Sequence, residues 1–164
     1  MSRTKTCIHC GEEKPISDFA VAAKTAEHQT ADKSGRTNRC NLCVTNSRMR
    51  RQSASAEVYL RDLFTKNKSA RAKKFEWKIT AEDIISLWDE QNGRCAISGV
   101  YMTHHVDRGE RKAFNASIDR IRSTEGYVRD NVQLVCQRVN TLKNDLDEAS
   151  LYWWVKHIHD FSCD

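Results

Sequence analysis

Between Asn115 and Lys143 two short apolar runs are broken by polar residues. Ile118 and Ile121 flank Asp119-Arg120, and Val132-Gln133-Leu134-Val135 follows a turn that contains Gly126. These short apolar runs predict two strands. A helix from about Cys136 to Asp145 should follow the second strand. Upstream, Thr80-Ala81-Glu82-Asp83 resembles a capping box with Asp83 in the place of the usual Glu or Gln. Ile84, Ile85, Leu87 and Trp88 then fall at helical spacing, and Gly93 is a natural stop. A short strand is predicted over Cys95–Ile97, then a polar loop from about Thr103 to Lys112. Asp147 can cap a last helix that holds Leu151, Trp153, Trp154, Val155 and Ile158. Residues 80–164 therefore read as one compact α+β unit.

Before this unit the pattern changes. Residues 47–79 contain neither Gly nor Pro and can run as one or two helices. Val58, Leu60, Leu63 and Phe64 supply a short apolar stripe there, with Arg and Lys around the rest of the axis. Residues 1–46 are polar, loop-rich and cysteine-bearing. The division predicted is 1–46, 47–79 and 80–164.

Composition sharpens this. Of 164 residues, 39% are hydrophobic, and the mean hydropathy is -0.70. That is lean for one packed core and leaves room for a second stabiliser such as a metal. No apolar run approaches the roughly 20 residues that cross a bilayer, so no membrane role is expected. The first residues lack the apolar segment of a signal peptide, which points to a cytoplasmic protein. In a reducing compartment, seven cysteines suggest metal ligands or buried thiols rather than disulfides. The net charge is +5, but its distribution matters more. Twelve of the cations lie between Arg36 and Lys78, among them Arg48, Arg50, Arg51, Arg71, Lys73 and Lys74, against Glu57, Asp62 and Glu76 as the acids. Such a segment suits phosphate, with a solvated helix face as the plainer alternative.

The cysteines fall into two kinds. Cys7-Ile8-His9-Cys10 and Cys40-Asn41-Leu42-Cys43 are CxxC pairs. Two thiolates three positions apart can grip one side of a tetrahedral ion, and the second pair completes a four-cysteine set for structural zinc. The alternative is four buried thiols without a ligand. His9 and His28 are possible substitutes, though four cysteines suffice. Cys95-Ala96-Ile97-Ser98-Gly99 and Cys136-Gln137-Arg138-Val139-Asn140 look like knuckles that have each lost one cysteine, to Ser98 and to Val139. They are expected to pack together as small hydrophobes. Cys163 has no assigned role.

The segment Cys95–Lys143 resembles the HNH, or ββα-metal, nuclease motif. Ile118-Asp119-Arg120-Ile121 matches its first strand, usually "DHI". Gly126-Tyr127 and Asn131 to Val135 match the loop and second strand, and Asn140-Thr141-Leu142-Lys143 matches the helix signature NxxK. The whole chain is similar to the small HNH endonucleases of bacteriophages, through "CGEEKP" with a nearby "DF", a basic helical segment, and "LWDEQNGRCAISG". The resemblance implies metal-dependent hydrolysis of DNA, in a host cell's cytoplasm if the chain is phage-encoded. A divalent ion, Mg2+ or another, would neutralise charge on the scissile phosphate. Asp119 is then the first ligand and Asn140 the second, with Asn131 supporting them. Lys143 is expected on a flanking phosphate.

One position departs from the motif. Arg120 stands where the motif carries a histidine base, and arginine stays protonated. Three readings follow. His104 or His105 supplies the base; or attack is assisted by Tyr127 or the phosphate, with Arg120 stabilising charge; or the site is inactive. The competing functions are a zinc-containing DNA-binding or regulatory protein, and a protein–protein module built on the Trp153-Trp154 helix. Those aromatics are more often core, with Trp88 a candidate to pack with them. Target specificity, the choice between nicking and double-strand cleavage, and oligomeric state are not written in these patterns.

Overall fold

A computed structural model describes residues 3–22, 34–106 and 113–163. The chain forms two compact units, Met1–Arg51 and Gln52–Asp164. His28 and the 107–112 part of the polar loop lie outside the described residues.

In the first unit, β1 (Thr4–Thr6) and β2 (Glu13–Pro15) pair antiparallel. Helix α1 (Asn41–Gln52) begins inside the second CxxC and ends at the boundary between the units. The core is Cys7, Phe19, Cys40 and Cys43. Among the described residues, one ring and three thiols are little apolar surface to hold a unit this small, which leaves room for a second stabiliser.

The second unit opens with α2 (Ala56–Arg71), whose N-cap Ser55 accepts from the Val58 amide. Leu60 is buried in the main core, with Leu63 and Phe64 packed against it. Helix α3 (Ala81–Glu90) carries the complete capping box: Thr80 Oγ1 accepts from the Asp83 amide at 3.1 Å, and Asp83 Oδ2 accepts from the Thr80 amide at 2.8 Å. Then β3 (Ala116–Arg120) pairs antiparallel with β4 (Val132–Cys136), with Ile118 opposite Leu134 and Asp119 opposite Gln133. Helix α4 (Gln137–Lys143) follows β4 without a loop, giving a ββα order. Helix α5 (Glu148–Cys163) closes the chain, and Asp147 Oδ1 accepts from the Ser150 amide at its start. The fold class is thus α+β, with two small antiparallel sheets among helices.

Several local expectations change. Cys95–Ile97 is not a strand but part of a tight turn: the Gly99 amide donates to the Cys95 carbonyl, and the Cys95 amide to the Val100 carbonyl. The two strands are held together by their own ladder, and this turn meets β4 through the Ala96 amide on the Leu134 carbonyl. The α4 helix is shorter than predicted, because Asn144 at its end takes a positive φ of 49°. Trp153 and Trp154 are exposed rather than in the core, while Trp88 packs against the core cluster and edge-on to His104. The segment 47–79 is divided, with α1 in one unit and α2 packed in the other.

Candidate metal centre and phosphate cleft

The CxxC pairs converge. The ligand sulfurs of Cys7, Cys10, Cys40 and Cys43 all lie within 4.8 Å of one another. Four sulfurs at about 2.3 Å from a zinc ion would sit roughly 3.8 Å apart. Backbone amides point at these sulfurs: His9 and Cys40 donate to Cys7 Sγ, and Cys43 donates to Cys40 Sγ. Such donors favour thiolate. The amide of Cys40 is the main reason that the Cys7 thiol is drawn down to about 5. Burial, and thiol neighbours that share its protons, push Cys43 up to about 12. The four cysteines are placed to bind a metal, and the donor set fits zinc.

The Cys95 and Cys136 halves also meet. Burial, then the charge and hydrogen bonding of Cys95, raise the Cys136 thiol to about 11. Ser98, in the place of a lost cysteine, donates its amide to Cys95 Sγ at 3.5 Å. Two sulfurs are too few for a structural zinc site.

The ββα element borders a cleft of about 760 Å³, lined by Ser117, Asp119, Arg120 and Asn140 on one side and by Lys66, Asn67 and Arg71 of α2 on another. Each residue reaches it for a local reason. Asp119 and Ser117 alternate on one face of β3. Asn140 sits on the first turn of α4, where its Nδ2 donates to Ser117 Oγ at 2.7 Å and to the Ile118 carbonyl at 3.2 Å. No hydrogen bond among the described residues uses its Oδ1.

Asp119 is 5% exposed. Its Oδ1 accepts from Lys143 Nζ at 3.2 Å and its Oδ2 from Gln133 Nε2 at 3.0 Å. Lys143 Nζ also donates to the Arg120 carbonyl at 2.8 Å. Lys143 is therefore not on a flanking phosphate. It is fully buried, because its ammonium is the counter-charge that lets Asp119 lie inside. Asn131, also fully buried, is a clamp: its Oδ1 accepts from the Arg122 amide, and its Nδ2 donates to the Arg122 and Gly126 carbonyls. It closes the turn between the strands.

The Arg120 guanidinium lies 3.9 Å from the Phe75 ring centroid and 5.4 Å from that of Tyr127. Nη1 donates to the Glu125 carbonyl at 2.8 Å. The group is held by two rings and one carbonyl, with donors to spare. His104 and His105 do not line the cleft. They stack on each other, and the Asn115 side chain ties the His105 backbone. Burial, then the neighbouring His105, holds the His104 imidazole below its ordinary range.

A divalent ion in the cleft would draw on the spare lone pairs of the Asp119 carboxylate and on Asn140 Oδ1. Both Asp119 oxygens already accept one hydrogen bond, and the Lys143 ammonium opposes a second cation. The set fits an ion of the Mg2+ type, which keeps several waters and takes further oxygens from a phosphate, and not a closed protein cage. Among the described residues no group of three His, Cys, Asp or Glu ligands gathers here.

Two features escaped sequence reasoning. The strand pattern marks Gln133 only as a strand residue, yet it bridges Asp119 and Glu148 Oε1; its place opposite an acid in the register is the available signal. The α2 wall of the cleft had none, since no local pattern says which strand a helix will face. Arg71, Lys73 and Lys74 are exposed without an acidic partner among the described residues, as are Arg48, Arg50 and Arg51 in the first unit.

No known family profile matches the chain, and no curated protein is significantly similar to it. Among solved structures it is similar to the rare-cutting HNH restriction endonuclease PacI, at 14% identity and a TM-score of 0.43, over 94% of this chain and 92% of that one. At that identity and overlap the reading of the site rests on the residues above and not on the likeness.

Proposed function

We propose that this protein is a metal-dependent DNA endonuclease of the HNH type, which combines a zinc-held four-cysteine unit with the nuclease unit. The observation that carries the reading is the cleft that unites Asp119, Arg120 and Asn140 with the cationic α2 residues Lys66 and Arg71. Asp119 and Asn140 would hold the divalent ion, which when bound neutralises charge on the scissile phosphate and leaving oxygen. Lys143 and Gln133 fix the Asp119 carboxylate in one orientation. Arg120 is a rigid anion receptor whose charge-assisted donors meet non-bridging phosphate oxygens, strongest where negative charge builds up. Because neither His104 nor His105 lines the cleft, the reading dispenses with a histidine base. Water attack is then assisted by the phosphate, with Arg120 stabilising the charge. Arg71, Lys73 and Lys74, and Arg48, Arg50 and Arg51, supply backbone contacts without sequence choice.

The test is cleavage of supercoiled plasmid with magnesium, manganese, nickel or zinc. Wild type should nick or linearise the plasmid. Asp119→Ala, Asn140→Ala and Arg120→Ala should each lose about 100-fold or more, and the paired His104→Ala/His105→Ala variant should keep its activity. Wild-type protein that is folded and zinc-loaded yet inert with all four metals refutes the proposal. A second reading, a DNA-binding protein with an inactive site, is favoured by one observation: Lys143 and Gln133 engage both Asp119 oxygens. It requires salt-dependent DNA binding with no cleavage.

A further inference from the structure

Helix α5 carries an apolar face that its own unit does not cover. Leu151, Trp154, Ile158 and Phe161 follow the a and d positions of a heptad, and Val155 widens the stripe. Leu151 alone among these is buried against the body of the unit. Beyond it the same face continues with Trp154 53%, Val155 52%, Ile158 62% and Phe161 88% exposed. Tyr152 is tied back by its hydroxyl, which donates to the Ile97 carbonyl. The charges stand off the stripe: Lys156 and Asp160 pair with each other along the helix.

We propose that α5 is a self-association surface, on which the stripe of one chain packs against the stripe of a second copy. Two observations select this occupant. The stripe contains no charged side chain, and the nearby pair is already neutralised within the helix, so no acidic or basic partner is called for. A neutral stripe with heptad spacing is complementary to itself, as a two-fold interface requires. The area also suffices. Aromatic side chains offer about 150–250 Å² each, so the exposed stripe presents roughly 500 Å² per copy. Two copies would bury about 1,000 Å², at the lower limit for a specific interface, so a dimer in the micromolar range is expected. A monomer rarely leaves an apolar patch of this size in water. The inference does not depend on the nuclease reading.

The test is the mass of the zinc-loaded full chain by sedimentation equilibrium and light scattering, from low micromolar to about 100 µM. The mass should rise from 18.9 kDa toward twice that value. Trp154→Glu/Ile158→Glu should weaken association at least tenfold while zinc content and the thermal midpoint hold. Should that pair misfold, Phe161→Glu, at the most exposed position, should weaken association in the same direction. A lipid surface is the rival occupant, so co-sedimentation with anionic and with neutral phosphatidylcholine vesicles is measured alongside. Wild type that stays monomeric throughout, whether or not it binds vesicles, overturns the proposal. A folded glutamate variant that associates as tightly as wild type overturns it too.

Discussion

Replacing Lys143 by methionine tests the centre of the site. The ammonium is fully buried and holds both the Asp119 carboxylate and the Arg120 carbonyl. Removing one member of a buried ion pair costs about 3–5 kcal/mol, because the other charge is left without compensation. Here Gln133 remains with Asp119, and methionine fills most of the vacated volume, so about 3 kcal/mol is the figure to test. Adding Asp119→Asn removes the stranded charge and can keep an acceptor for Gln133. The double variant should regain at least half the loss, although the Arg120 carbonyl stays without its donor at a cost of about 1 kcal/mol. Urea unfolding followed by tryptophan fluorescence is the assay. All four tryptophans lie in the Gln52–Asp164 unit, so the signal reports that unit alone. The single variant should also melt roughly 10 °C below wild type. A loss under about 1 kcal/mol, or a double variant no more stable than Lys143→Met, would show that the pair does not hold the site together.

Further outcomes follow from the same geometry. Cys40→Ala should abolish the binding of about one zinc per chain, read by atomic emission, and unfold the first unit, whose core is largely these sulfurs. Gly126→Ala should cost about 2 kcal/mol, read by thermal unfolding, since an added Cβ would lie 2.7 Å from the Glu76 carbonyl oxygen. Asp83→Ala should cost about 1 kcal/mol at neutral pH through the lost cap. Hydrogen bonds from the Thr80 amide and hydroxyl hold the Asp83 carboxyl below its ordinary 3.8. The contribution is therefore present above that pH and fades as pH falls through and below it, so parallel melts should converge in acid.

The CxxC pairs, the capping box and the two core strands were legible because each obeys a local rule. Thiolate spacing answers to a tetrahedral ion, and Thr80-to-Asp83 answers to one helical turn. Short apolar runs bounded by turn residues answer to two buried strands. The Cys95 segment is a turn and not the expected strand, because two or three apolar residues suit a strand and a turn alike. A helical stripe looks the same whether or not anything covers it, so the pattern leaves the α5 aromatics open between core and partner surface. The motif marks Arg120 only as standing in the place of a histidine base, and leaves its own role open. Its ring stack on Phe75 and its bond to the Glu125 carbonyl arise from residues that no spacing rule links to it.

By itself the sequence determined which residues could carry chemistry: four thiols, one strand carboxylate, two amides and a block of cations. Only the tertiary structure decided which of them act together. Out of 27 lysines and arginines, it set Lys143 against Asp119 inside the protein. It brought α2 to the ββα element to make a cleft, and it left His104 and His105 away from that cleft. The reason is physical. A residue's local pattern sets the direction of its side chain, but burial and charge pairing depend on neighbours that are distant in the chain, and those exist only once the core has formed.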